Sequence, residues 1–326
     1  MPDFSFLSSA LSLSRFRFQL CAEDSFPKYF YLGSTLRGAL GWQIQRLVCP
    51  FEGRKKCNSC LVANDCPYYE LYLKKSDMPG LMDSPRGYVF YVSPDSEPGL
   101  ISLDITLFGS CTRFAPVLSE AILRAARTGL TRRRIGFCVR SMQQLLPEGS
   151  KYIDPHARLS DQLSEPLPLS AWMHETRDAR VLDFSLITPL RLRKNGHYLN
   201  YLDMDFFLQN ILRRMESLGC VFGSGRPLGK ENWDRLKEQI LPAEVHRCDS
   251  PQDLNGSGFS YYAKTSWDDY KRYSNRQGKK VPMGGIVGDV RLKGADETVL
   301  SLLRTAELLH VGKGAALGLG RVEIQE

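Results

Sequence analysis

An α+β fold in two domains is what this sequence predicts, and three observations predict it. Apolar residues alternate with period two in some segments and recur every three to four positions in others. These segments follow one another in the order strand, helix, strand, strand, helix, strand, and the order then restarts in the second half. The length, 326 residues, suits two domains of roughly 150 each. With 43% hydrophobic and 24% charged residues, the composition is that of a globular protein with material for two cores.

Residues 15–20 alternate strictly, setting Phe16, Phe18 and Leu20 on one face of a strand. Residues 33–48 switch period, with Leu36, Leu40, Ile44 and Leu47 on one helical stripe and Ser34 as the expected cap. Strands are expected at 87–92 and 100–108, a helix at 114–130 and a further strand at 135–142. This is the element order of a ferredoxin-like unit, with a cysteine-rich insertion after its first helix. Residues 147–180, with Pro147, Pro155, Pro166 and Pro168 and weak periodicity, read as a linker or crossover between domains at 1–146 and 181–326. The second half gives a strand at 181–192 and a helix at 204–218 carrying Phe207, Ile211 and Met215. Extended segments at 260–263 and 284–292 follow, then a helix at 298–309, a glycine loop and a last strand at 321–324.

The net charge of +7 is modest, so local basic clusters carry more information than the total. No apolar run approaches the ~18 residues of a membrane span, and the N-terminus has no basic leader region, so no membrane association is expected. Nine cysteines in such a chain point to reduced thiols or a metal and to a cytoplasmic protein.

Cys49, Cys57, Cys60 and Cys66 are spaced C-x7-C-x2-C-x5-C. Four soft sulfur donors so close together suit a structural, tetrahedral zinc at about residues 49–66; an iron–sulfur cluster or no metal are the alternatives. Four protein ligands leave no open position, so no catalytic metal is expected. The stretch 270–280 holds Lys271, Arg272, Arg276, Lys279 and Lys280 with Tyr270 and Tyr273 and no acid. Cations track phosphates and aromatic rings stack on unpaired bases; a solvated charge run is the bland reading. Arg132, Arg133 and Arg134 form a second cluster, and Arg191, Arg193 and Lys194 beside His197 a third.

Gly312, Lys313, Gly314, Gly318, Gly320 and Arg321 make up the glycine loop. Glycines let consecutive amides turn toward one anion, while a hairpin without ligand is the alternative. A dinucleotide fingerprint is excluded, because that needs strand, loop, helix and a later acid. His197, next to the Asn195-Gly196 turn, and His310, beside the glycine loop, are candidate proton carriers against a purely structural role.

Leu36-Arg37-Gly38-Ala39-Leu40-Gly41 with the cysteine knuckle, Thr188-Pro189-Leu190-Arg191, Arg276-Gln277 with Met283-Gly284-Gly285, and the run Gly312–Gly320 together resemble one family. It is that of the CRISPR precursor-RNA processing endoribonucleases of the RAMP superfamily, of the Cas-six type, in a subgroup with a four-cysteine knuckle. The resemblance implies two tandem ferredoxin-like (RRM-like) domains gripping CRISPR repeat RNA in a basic groove. It also implies metal-independent cleavage by the RNA's own 2′-hydroxyl, leaving a 2′,3′-cyclic phosphate. Many members carry a histidine in or near the first helix; here Tyr31 and Arg37 stand in that region and no histidine precedes His156. The expected catalytic residues are therefore His197, Lys280 and Tyr31. Expected RNA contacts are Arg37, Arg132, Arg133, Arg134, Arg191, Arg193, Arg272, Arg276, Lys279, Gly312, Lys313 and Gly314, with Cys49, Cys57, Cys60 and Cys66 on zinc. The alternative reading is a non-catalytic RNA-binding RAMP subunit that partners other CRISPR effector subunits; a zinc-knuckle DNA-binding regulator is a third.

Overall fold

The structure, a computed structural model, describes residues 4–24, 32–51, 56–76, 78, 84–95, 97–130, 134–173, 181–242, 244–254, 258–274 and 278–325. The chain divides into two compact units. The first comprises residues 11–168 with 218–224; the second comprises 1–10, 169–217 and 225–326.

After a one-turn helix α1 (Ser5–Ser9), the first unit runs β1 (Ser12–Ala22), α2 (Gly33–Val48), β2 (Tyr88–Pro94) and β3 (Leu100–Phe108). It continues with α3 (Ala115–Thr128), β4 (Phe137–Leu146), β5 (Gly149–Ile153) and the short β6 (Leu167–Pro168). The sheet order is β2-β3-β1-β4-β5, antiparallel throughout, with β6 also paired to β1. Phe16 sits opposite Ile105 and Phe18 opposite Leu103, which puts the alternating apolar residues on one face. Those side chains are buried, as are Leu36, Leu40 and Ile44 of α2 and Leu118 and Ile122 of α3. Each such burial contributes about 1.5–3 kcal/mol. The helix α2 begins one residue earlier than its expected cap: Leu32 is the N-cap and no side chain caps the turn, so Ser34 lies inside the helix.

Polar residues also enter the buried parts of this sheet. Ser14 is buried on the face of Phe16, Ser102 and Thr106 on the opposite one. Gln144 of β4 exchanges two bonds with the Ser164 backbone, donating at 3.0 Å and accepting at 2.8 Å. Gln162 likewise holds the Asp154 backbone N–H at 2.8 Å and its carbonyl at 3.0 Å. Much of the expected crossover thus folds onto the first unit: 149–153 and 167–168 are strands, and 174–180 lie outside the described residues. Paired side-chain amides, not apolar periodicity, order it, which is why its sequence shows no period.

The second unit contains β7 (Val181–Leu190), β8 (Arg193–Lys194), β9 (His197–Tyr198), α4 (Met204–Phe222), α5 (Lys230–Ile240) and β10 (His246–Arg247). Then come β11 (Ser260–Asp268), β12 (Lys271–Ser274), β13 (Lys279–Pro282), β14 (Gly285–Lys293), α6 (Glu297–Leu309) and β15 (Val322–Gln325). Its main sheet has the order β10-β11-β14-β7-β15, antiparallel except for the β10–β11 pair. Phe207, Ile211 and Met215 of α4 and Val299, Leu302, Ala306 and Leu309 of α6 are fully buried. Phe184 of β7 stacks on Phe207 with ring centres 6.1 Å apart. Helix α5 escaped the sequence pattern because it buries little beyond Leu236 and Ile240. Among the described residues no helix is long and apolar enough to cross a membrane.

Candidate nucleic-acid interface

The glycine loop connects α6 to β15 and is tied at several points to the end of β7. The Lys313 N–H donates to the Arg191 carbonyl at 3.0 Å, and the Gly320 N–H to the Pro189 carbonyl at 3.1 Å. The Thr188 hydroxyl donates to the Gly318 carbonyl at 2.8 Å and accepts the Arg321 N–H at 2.9 Å. Such bonds between buried groups contribute about 0.5–1.5 kcal/mol each, and more is lost when one partner is removed. Glycine is required at two points of closest approach. A Cβ on Gly312 (φ +82°) would lie 2.6 Å from the Arg191 carbonyl oxygen, and one on Gly320 (φ +69°) would overlap the Val311 carbonyl.

Most loop amides are therefore spent on the chain itself. Val311, Lys313, Leu317, Gly318, Leu319 and Gly320 all donate to backbone carbonyls. Only part of the loop thus keeps N–H groups to offer an anion. Among the described residues, Gly314 and Ala316 have no backbone acceptor for their N–H groups and are partly exposed, at the start of the short turn 315–317. Arg321 is also spoken for, since its guanidinium bonds the Glu307 carbonyl near the end of α6.

Arg191 is the centre of this region. It is only 8% exposed, yet among the described residues no carboxylate pairs with it. Its Nη1 lies 3.1 Å from the Met283 sulfur, its guanidinium sits 4.5 Å from the centre of the Tyr198 ring, and its buried Nε has no acceptor among the described residues. Sulfur and an aromatic face are weak partners for a desolvated cation. Arg191 thereby joins three segments: its side chain meets the β8–β9 hairpin at Tyr198 and the link between β13 and β14 at Met283, and its backbone carbonyl holds the glycine loop at Lys313. Tyr198, Met283 and Thr188 were not singled out as site residues in the sequence; adjacency to the basic and glycine motifs was the signal available.

The β8–β9 hairpin turns through Asn195 (φ +50°) and Gly196 (φ +85°), the left-handed pair such a turn demands. His197 is exposed on it. The Arg193 Nε bonds the Gly196 carbonyl at 2.9 Å, and Lys194 pairs with Asp203 at 2.8 Å. Lys279 and Lys280 are exposed on β13, facing β12 and its Arg272 across a two-stranded hairpin. His310 behaves differently from His197. It is 2% exposed, with φ +53° at the end of α6 and its Nδ1 3.3 Å from the Leu319 carbonyl, so it belongs to the loop's frame. Arg214 braces the same place. It bonds the Leu309 carbonyl twice at 3.3 Å, and burial without an acidic partner brings its guanidinium down to about 10.

In the first unit Arg37 of α2 bonds the Tyr88 hydroxyl and lies 4.8 Å from the Tyr72 ring centre, within an aromatic group that also includes Tyr68 and Phe90. Arg134 is exposed in the turn before β4. Tyr31, Arg132, Arg133 and Arg276 lie outside the described residues.

Cys49, Cys57, Cys60 and Cys66 line one small cavity with Gln45, Phe51, Val62 and Tyr68. Burial and then the neighbouring Cys66, Cys49 and Cys60 push the Cys57 thiol up. The Cys60 N–H donates to the Cys57 carbonyl at 3.2 Å, the tight turn that a C-x2-C pair needs to present both sulfurs inward. The donor set is chemically suited to zinc, although among the described residues no three ligating side chains are drawn together as a finished cage.

An α+β protein of two antiparallel sheets, with a strand-pinned glycine loop around a buried arginine, is the class these observations define. Residues 184–322 match the family model described as CRISPR-associated endoribonuclease Cas6, and over that span the chain matches the Cas6 endoribonuclease family. Residues 11–164 match a separate model, the N-terminal domain named AF_1859_N. A curated protein of Archaeoglobus fulgidus, described as uncharacterized, is 22% identical over 98% of this chain and 100% of its own length. Among solved structures, Thermus thermophilus Cas6 is similar with a TM-score of 0.52 at 15% identity, covering 97% of this chain and 99% of that one. A partial Cas6-RT-Cas1–Cas2 complex is similar with a TM-score of 0.55 at 13% identity, covering 97% of this chain and 46% of that one. At such identities the structural likeness speaks for the fold alone.

Proposed function

We propose that this protein is a Cas6-type endoribonuclease that binds CRISPR repeat RNA and cuts it into guide RNA. The observation that carries the reading is Arg191: a guanidinium nine-tenths buried, without a carboxylate, beside a loop with open amides. Burying a lone charge costs several kcal/mol unless an anion completes it, and an RNA phosphate is the anion that the family match supplies. The strand order of the first unit, second-third-first-fourth, recurs in the second unit as β11-β14-β7-β15, which supports two ferredoxin-like units.

In the proposed reaction the 2′-hydroxyl of the nucleotide before the cut attacks the adjacent phosphorus and the 5′-oxygen leaves. The products are a 2′,3′-cyclic phosphate and a 5′-hydroxyl. A base must accept the hydroxyl proton, an acid must protonate the leaving oxygen, and cations must offset charge on the phosphorane. His197, exposed on the hairpin whose Tyr198 covers Arg191, takes the proton-transfer role. Lys280 on β13 offsets charge, and Tyr31 is kept as a third candidate. Lys313, Gly312, Gly314, Arg193, Arg272 and Lys279 contact the strand through its phosphates. Arg37, Arg132, Arg133, Arg134 and Arg276 are kept as further RNA contacts. Cys49, Cys57, Cys60 and Cys66 would hold a structural zinc as thiolates, fixing the segment after α2 and taking no part in cleavage. The setting is cytoplasmic, and other CRISPR proteins are the expected partners, as in the Cas6-RT-Cas1–Cas2 assembly.

The test is to incubate purified protein with its cognate repeat RNA in excess EDTA. One cut, abolished by a 2′-deoxy substitution at the scissile nucleotide, is expected. Tight binding with an intact strand would instead identify a non-catalytic RNA-binding subunit. His197→Ala should slow single-turnover cleavage while leaving affinity unchanged, and an unaltered rate would remove it from proton transfer.

A further inference from the structure

Two cysteines outside the knuckle face each other across the first unit's sheet. After the irregularity at Gln19/Leu20, β1 and β4 pair with Cys21 directly opposite Cys138. The ladder fixes the kind of pair. The Glu23 N–H donates to the Gly136 carbonyl at 2.9 Å, so position 23 opposes 136 as a hydrogen-bonded pair, and two residues along Cys21 and Cys138 do so again. Such pairs place Cα atoms about 5.5 Å apart, within the roughly 4.4–6.8 Å that a disulfide spans. Both side chains stand on the face opposite buried Leu20. Cys138 is exposed and Cys21 partly so, and both are free thiols.

The surroundings favour reaction between the two over reaction with anything else nearby. The Cys21 thiol is pushed up by burial first and by the neighbouring Cys138 next. Arg140, the nearby cation, is already held by Glu97 at 2.6 Å. Cys138 is the more accessible thiol and Cys21 the partner across the ladder, the division of labour between an attacking and a resolving thiol.

We propose that Cys21 and Cys138 form a peroxide-sensitive dithiol that closes reversibly into a cross-strand disulfide. The Cys138 thiolate attacks one oxygen of hydrogen peroxide, the O–O bond breaks, and water leaves with the Cys138 proton, giving Cys138 sulfenic acid. The Cys21 sulfur then displaces the sulfenic hydroxyl, which departs as a second water with the Cys21 proton. Two thiols are oxidised and one peroxide is reduced to two waters. The closed bond would pin the central strand β1 to β4 and enclose α2, the cysteine knuckle and α3 in one covalent loop.

The test uses full-length reduced protein given stoichiometric hydrogen peroxide, alkylated, digested and read by mass spectrometry. The expected product is a Cys21–Cys138 cross-linked peptide pair, lighter by two hydrogens than the separate reduced peptides and reversed by dithiothreitol. Cys21→Ser should leave Cys138 as a sulfenic acid trapped by dimedone, without a cross-link. Cys138→Ser should leave Cys21 reduced at the same dose. Independent alkylation of both residues in wild-type protein, or a cross-link from Cys138 to any other cysteine, would overturn the proposal. The readout needs no RNA and no variant to fold, so it stands or falls apart from the cleavage assay.

Discussion

The connection from α3 to β4 in the first unit and that from α6 to β15 in the second are both short, and the two are built on opposite plans. In the first unit the turn closes on itself: Leu130 and Ile135 exchange backbone bonds at 2.8 and 2.9 Å, and Arg134 takes a left-handed φ of +52°. In the second unit the glycine loop closes on a strand, through Thr188, Pro189 and Arg191 of the β7 end. The difference lies in what the cations can do. In the self-closed turn, Arg134 is left exposed to solvent. A strand-pinned loop sets its open amides at a fixed distance from a guanidinium that the fold has already desolvated.

The sharpest way to break the contrast is Gly320→Ala. Its Cβ would overlap the Val311 carbonyl at a left-handed φ, so about 3 kcal/mol of stability or more should be lost in chemical denaturation. Next comes Arg191→Met. Repeat-RNA affinity should fall roughly tenfold or more, for the ~1.5–3 kcal/mol of a charge-assisted bond, while denaturation shows stability unchanged or raised because an unpaired buried charge is gone. A loss of stability with affinity intact would reduce Arg191 to a packing residue. Thr188→Val removes one donor and one acceptor from the pin and should cost about 1–3 kcal/mol by thermal denaturation. The smallest effect is expected at Glu216, buried on α4, whose carboxyl burial holds above its ordinary range. The native state then keeps the proton more firmly than the unfolded chain, so stability declines as pH rises through the carboxylate range. Glu216→Gln should flatten that part of a stability-against-pH curve; an unchanged slope would show that the carboxyl is solvated.

How much of this was legible in the sequence depends on which force writes each part. Phe16, Phe18 and Leu20, and Val299, Leu302, Ala306 and Leu309, obey simple periods because apolar burial orders them, and the structure buries them all. The segment held by Gln144 and Ser164 has no period, because polar side chains fold it, while α5 has only a short apolar stripe ending in Leu236 and Ile240. The glycines near 312–320 announced a loop with unusual φ angles. They did not announce that Thr188 and Pro189 would consume its amides, since that pinning joins residues more than a hundred positions apart. His197 and His310 look alike as letters beside basic or glycine motifs; only the fold separates an exposed hairpin residue from one enclosed at 2%.

The amide clasp between Gln144 and Ser164 has one more implication. Gln144 stands opposite Phe16 and so points to the apolar face of the sheet, where its bonded amide ends the hydrocarbon layer. An amide that must be satisfied at both its donor and its acceptor fits one strand register only, so this polar lock guards β4 against slipping along β1.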